Sequence, residues 1–245
     1  MFRNLSESRV SMESNNKFIG IVNEINQFLI DKYNLHSNST FGAAIEHVKN
    51  VDRLVKYEYD FLDLVKDLRN VIVHKSYQEG PVAVPRKDVV DRLEVILKKL
   101  KYPTFIASEF KSNVISFNDK DTLDMVLDEV SANDYTQFPI FSDSGSVGLL
   151  TENGITKWLA SKKNDGIIEF NDIKIKEILS IDENSESYRV LEHNKTVYDV
   201  IDVFNKRSIT YGSLTILIAK AFEINKSEDI AGIITHWDIK DYIQK

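Results

Sequence analysis

Gly232-Ile-Ile-Thr-His-Trp-Asp-Ile239 decides the fold of the C-terminal half, because much of its pattern has already occurred once upstream. Val147-Gly148-Leu149-Leu150-Thr151 parallels Ala231-Gly232-Ile233-Ile234-Thr235, and a helical stretch follows each, Ile155–Ala160 and Ile239–Ile243. Further out, Asp121-Thr-Leu-Asp-Met-Val-Leu-Asp128 parallels Lys195-Thr-Val-Tyr-Asp-Val-Ile-Asp202 in the same order. An internal duplication outranks any single propensity. Short apolar runs alternating with helical stretches predict two small βαβ repeats in tandem. The second copy carries about ten more residues around Lys220–Asp229, which predicts an extended β-hairpin there.

Upstream of Pro103 the period changes to that of helices. Phe18, Ile21, Ile25, Phe28 and Leu29 form one stripe, on a helix running to about Tyr33. Ser39-Thr40 precede Phe41-Gly-Ala-Ala-Ile-Glu-His-Val48 as an N-cap. Asp52 can cap a third helix, with Leu54, Phe61, Val65, Leu68 and Ile72 as its buried seam. After Gly80-Pro81 and Pro85 a fourth helix presents Val89, Leu93, Ile96 and Leu97 inward. The expected fold class is therefore α+β: a four-helix bundle over residues 1–103, then the repeats over 104–245. Repeat 1 spans about 105–162, a linker about 163–187, and repeat 2 about 188–245.

The duplicated residues resemble a pair of CBS domains, the tandem known as a Bateman module. The strand-Thr-x-x-Asp-helix signature is intact in Gly232–Ile239, and Tyr135-Thr-Gln-Phe-Pro-Ile140 matches the family's central strand. The resemblance implies an adenine-type nucleotide, such as AMP or ATP, held as a regulatory ligand. Thr235 would then face the phosphate and Asp238 the ribose diol, as acidic residues do in other nucleotide folds. Unpaired N–H groups where strand turns into helix suit a phosphate. Tyr211, paired with Tyr135 of the first copy, would flank the base. The first copy keeps Thr151 but has Gly154 where the second has Asp238, so one competent site is expected. Thr and Asp are also ordinary helix caps, and a purely capping role is the alternative.

Near the end of the third helix stands Leu68-Arg69-Asn70-Val71-Ile72-Val73-His74. Asn70 and His74, four apart, project from one face. Arg69 lies about 100° round, within reach of the same spot. This segment resembles the Arg-x4-His motif of HEPN domains, four-helix bundles that include metal-independent endoribonucleases and commonly work as dimers. The resemblance implies RNA cleavage by attack of the ribose 2′-OH. His74 would be general acid or base, Arg69 the phosphate clamp, and Asn70 the orienting group. Tyr77, three residues past His74, is an imperfect match to a Tyr that some HEPN toxins carry two residues past it. The blander reading is a helix ended by cations that suit its dipole. Under that reading the protein is a non-enzymatic nucleotide sensor whose helical domain dimerises or binds a partner.

Composition narrows the rest. Of 245 residues, 42% are hydrophobic and 28% charged, a globular profile with no segment fit to span a bilayer. There are no cysteines, which removes disulfides and thiolate chemistry and accords with a cytoplasmic setting. Residues 1–103 hold 16 Lys+Arg against 14 Asp+Glu, whereas residues 104–245 hold 15 against 24. The acidic half is no general phosphate-backbone binder. His36, His47, His193 and His236 show no metal-ligand spacing, so no metal is expected. The run Asp121–Asp128 reads as a solvated helix face.

Overall fold

The computed structural model describes residues 2–74, 76–77, 80–133, 135–145, 147–163, 166–168, 170–181, 187–206, 214–221 and 223–243. Internal contacts divide this mixed helix and strand chain into two compact units, Met1–Thr104 and Phe105–Lys245. No helix among the described residues is long and apolar enough to cross a membrane.

The first unit holds α1 (Phe2–Tyr33), α2 (Phe41–Val48), α3 (Arg53–Tyr57), α4 (Tyr59–His74) and α5 (Lys87–Lys101). A two-residue ladder, β1 (Ser76–Tyr77) with β2 (Gly80–Pro81), lies between α4 and α5. Thr40 caps α2 by accepting the Ala43 N–H at 3.3 Å, the role its position before Phe41 implied. The helix expected from Asp52 onward is instead broken at Glu58. There φ and ψ are −94° and 8°, and the amide closes onto Leu54 O. Glu58 is buried and accepts from Arg92 Nη2 at 2.6 Å, and the same guanidinium stacks 4.1 Å above the Phe61 ring. Leu62 enters the core while Phe61 stays half-buried beneath Arg92.

Asp52 anchors the turn into α3. Its carboxylate accepts the Val55 N–H at 3.0 Å, the Tyr33 hydroxyl at 2.6 Å and Lys32 Nζ at 3.0 Å, and it is buried. Burial alone would raise its pKa, but the Tyr33, Val55 and Lys32 donors outweigh burial and hold the carboxyl below its usual value. A depressed folded-state pKa stabilises the fold fully above the unfolded carboxylate's pKa of about 3.9. That contribution disappears as pH falls through the lower folded value. Asp52→Ala is expected to cost about 2 kcal/mol at neutral pH and to flatten the acid limb of the stability curve. Urea unfolding followed by helical circular dichroism across pH 2–7 checks this, and an unchanged acid limb would reject it.

The second unit repeats one motif. In the first copy β3 (Phe117–Asn118) runs parallel to β4 (Gln137–Phe141), joined through α7 (Leu123–Asn133). Strand β5 (Val147–Thr151) pairs antiparallel with β4, and α8 (Glu152–Ser161) follows. In the second copy β6 (Tyr188–Glu192), α10 (Val197–Lys206), β7 (Thr215–Ala219), β8 (Ile230–Ile234) and α11 (Lys240–Ile243) take the same places. Phe138, Ile140, Leu150 and Trp158 fill the first copy's core, and Phe141, Leu149, Leu217 and Ile230 pack together between the sheets. In place of the extended hairpin expected, the Lys220 N–H donates to Asp229 O at 2.8 Å, and residues 223–229 form a loop with a 3-10 turn at Ser227–Asp229, tied by the Asp229 carboxylate to the amides of Asn225 and Lys226.

Each copy borrows a short helix from outside its own repeat. Helix α9 (Ile175–Leu179) lies in the stretch expected to link the copies, yet Ile175 and Ile178 are buried in the first copy's core. Helix α6 (Ile106–Glu109), ahead of the first copy, serves the second. Ile106 N–H donates to Lys195 O at 2.9 Å, just as Ile175 N–H donates to Asp121 O at 3.0 Å. Lys195 and Asp121 occupy matching places in the duplicated sequence. Gly232 then becomes obligatory, because a Cβ there would lie 2.1 Å from Phe110 O, at the end of α6.

Candidate functional site

The candidate site forms where β8 leaves the sheet. Buried Ile230 and Ile234 hold the strand, and Thr235 is the first residue beyond it. The Thr235 N–H and Oγ1–H each donate to Asp238 Oδ2 at 2.7 Å, and Asp238 N–H returns to Thr235 O at 3.2 Å. One carboxylate oxygen is therefore fixed, while no described residue bonds Oδ1 of the exposed Asp238 side chain. An oriented, open carboxylate oxygen can accept a diol. Beside it the Trp237 side chain is 79% exposed, and His236 meets the Phe204 ring edge-on at 5.5 Å. Tyr242 on α11 donates to Glu109 of α6; burial first, and that bond second, push its phenol up to about 12.

The same Thr-x-x-Asp geometry recurs at the start of α10. Thr196 N–H and Oγ1–H both donate to Asp199 Oδ2 at 2.8 Å. The arrangement at Thr235 is thus a cap in its own right, and the two threonine donors assigned to a phosphate already have a partner.

In the first copy Thr151 is buried and caps α8, its Oγ1 accepting the Gly154 N–H at 3.1 Å. No carboxylate stands at the Gly154 position, so the two turns differ as the sequence implied. Tyr135 is 46% exposed, two residues before Gln137, which pairs with Thr151. Tyr211 lies outside the described residues. Gly148 faces Ile140 and Gly232 faces Ile218, so Gln137 corresponds to Thr215.

The sequence reading missed the link between those equivalent residues. Thr215 Oγ1, fully buried, donates to Gln137 Oε1 and ties the starts of β7 and β4 together across the copies. Two polar residues at strand starts give no periodic signal, so only the packed structure shows the pair. At the opposite end of β8 an open cleft of about 860 Å³ is lined by Lys111, Ser112, Asn113, Lys220 and Glu228 among others. Lys220 Nζ there donates to Glu228 O at 2.6 Å.

In the helical unit, His74 is the last residue of α4, and both Asn70 and His74 are exposed. Arg69 is half-buried, and its Nε is buried with no hydrogen-bond partner among the described residues. Among the described residues no group of three or more His, Asp or Glu is placed to hold a metal ion.

Residues 107–161 match the CBS domain family. No curated protein matches the chain. Similar solved structures include a conserved CBS domain protein of unknown function from Thermoplasma acidophilum, 16% identical, covering 57% of this chain and 69% of that one at a TM-score of 0.41. Another is a CBS domain pair in complex with 5′-methylthioadenosine and S-adenosyl-L-methionine, 17% identical, covering 58% and 97% at 0.41. A third is the CBS domain of a bacterial CNNM/CorC family Mg2+ transporter in complex with ATP, 14% identical, covering 62% and 94% at 0.42. Likeness of this degree carries no argument about the ligand or activity of this chain. The sequence match itself identifies residues 107–161 as a CBS domain.

Proposed function

We propose that residues 104–245 bind an adenine-type nucleotide as a regulatory ligand, with Asp238 as the ribose acceptor. The observation that carries the reading is the Asp238 carboxylate, held at Oδ2 by both Thr235 donors and open at Oδ1. The CBS match upstream and the intact signature in the second copy support an adenine-type ligand. Tyr135 and Tyr211 are the aromatic residues proposed to flank the base, and Thr151 marks the weaker site of the first copy. Asp238→Ala should lower adenosine or AMP affinity at least about tenfold, the size of a lost hydrogen bond to a charged group. Isothermal titration of the full chain tests this, and unchanged affinity in the variant would sink the assignment.

The helical unit, residues 1–103, is proposed as the effector, a metal-independent endoribonuclease working as a homodimer. What favours this over a bare partner-binding module is the Arg-x4-His spacing of Arg69 and His74, with Asn70 and His74 both exposed at the end of α4. Nucleotide occupancy need supply only about 1–3 kcal/mol of coupling to regulate such a cleft.

A further inference from the structure

We infer that the cleft at the start of β8 is a second ligand site, suited to a small dianionic metabolite and separate from the Thr235–Asp238 turn. Its volume of about 860 Å³ lies within the range of small-molecule pockets. Its walls come from three stretches of the second unit: α6 with the residues after it, the end of β7, and the loop into β8. Lys111 and Lys220, from two of those stretches, line it together with Ser112, Asn113 and Ser227. Buried Ile230 and Ala231 supply an apolar lining. Two cations and several neutral donors converging beside apolar side chains suit an organic anion with a carbon face. A ligand of charge two can engage both lysines at once.

The backbone around the cleft is fixed by bonds of its own. Ser112 N–H donates to Ala231 O at 3.3 Å, and a Cβ on Gly232 would lie 2.1 Å from Phe110 O, so the segment carrying Lys111 follows β8 closely. Lys220 N–H donates to Asp229 O at 2.8 Å, and its Nζ donates to Glu228 O at 2.6 Å. An ammonium has three donors, which leaves Lys220 able to bind an anion as well. The Asp229 carboxylate holds the amides of Asn225 and Lys226. Gly145, at φ 78°, lies against Asn225, where a Cβ would stand 3.4 Å from Oδ1. A loop held this way loses little freedom when a ligand binds. Glu228 lines the cleft too, and its carboxylate opposes an anion. Removing that charge should therefore tighten binding, whereas removing Lys111 should weaken it.

Isothermal titration of the full chain with glucose 6-phosphate, succinate and acetate tests this, in about 0.1 M salt to screen distant charges. At least one of the two dianions should bind, and the tighter of them names phosphate or carboxylate as the source of the charge. Acetate, with one charge, should bind at least about tenfold more weakly. Lys111→Met should lower dianion affinity at least about tenfold, the size of a lost bond to a charged group. Glu228→Gln should raise it. Lys176→Met, on α9 of the first copy, makes the same change in net charge outside the cleft and should leave affinity within about twofold. All three side chains are exposed, so unchanged melting curves are expected and are checked first. Binding of neither dianion, or acetate binding as tightly as the dianions, would overturn the inference. So would equal losses with Lys111→Met and Lys176→Met. None of these outcomes bears on the nucleotide reading, which rests on Asp238.

Discussion

RNA cleavage by the full chain in EDTA is expected to fall about 10²- to 10⁴-fold on His74→Ala, the usual worth of a positioned general acid or base. His74 ends α4, where an exposed imidazole can meet a substrate and exchange its proton. Arg69→Lys should also depress cleavage strongly, because an ammonium cannot replace a guanidinium fork on a phosphoryl group. The rates should be unaffected by chelators, as the chemistry assigned to Arg69, Asn70 and His74 uses no metal. Absence of cleavage by the folded wild-type chain, against a mixed RNA substrate with and without nucleotide, would reject the nuclease reading. The helical unit would then be a dimerisation or partner-binding module. Equal cleavage by wild type and His74→Ala would place the activity elsewhere.

Gly232→Ala should destabilise the second unit by about 3 kcal/mol, at the upper end of overpacking penalties. The added Cβ would stand 2.1 Å from Phe110 O, a backbone atom with no rotamer to yield. The exchange of α6 onto the second copy fixes that carbonyl, through Ile106 N–H on Lys195 O and Ser112 N–H on Ala231 O at 3.3 Å. The expected lowering of the second unit's melting midpoint is roughly 6–12 °C. Gly148→Ala supplies the comparison. Its Cβ would meet the Leu179 side chain at 3.5 Å, an ordinary contact, so a much smaller effect is expected. Equal effects at the two glycines would mean that the α6 segment does not lie against β8.

Much of this was legible from residue order. Phe18, Ile21, Ile25 and Leu29 carry the helical period and are buried as that period requires. Leu93 and Ile96 are likewise buried on α5, but Val90 and Leu100 complete the stripe instead of Val89 and Leu97. The third helix misled because its apolar seam does not show the break at Glu58, whose carboxylate is bonded to Arg92, 34 residues away.

The site shows the same division. The duplication marked the turns at Thr151 and Thr235, and the exchange of Asp238 for Gly154 marked them as unequal. Residue types allowed both a ribose contact and a cap at Asp238, and the geometry shows the cap together with a free oxygen for the other role.

By itself, then, the order of residues determined the two periods, the tandem copies and the location of the signatures, because all of these are local repeats of side-chain type along the chain. Tertiary structure alone decided that α6 serves the second copy and α9 the first, that Gln137 meets Thr215, and that Thr235 turns to Asp238 rather than to solvent. Those choices join residues far apart in the chain, or select between two satisfied hydrogen-bond partners. Periodicity reports which face of an element is apolar, but not which distant surface comes to cover it.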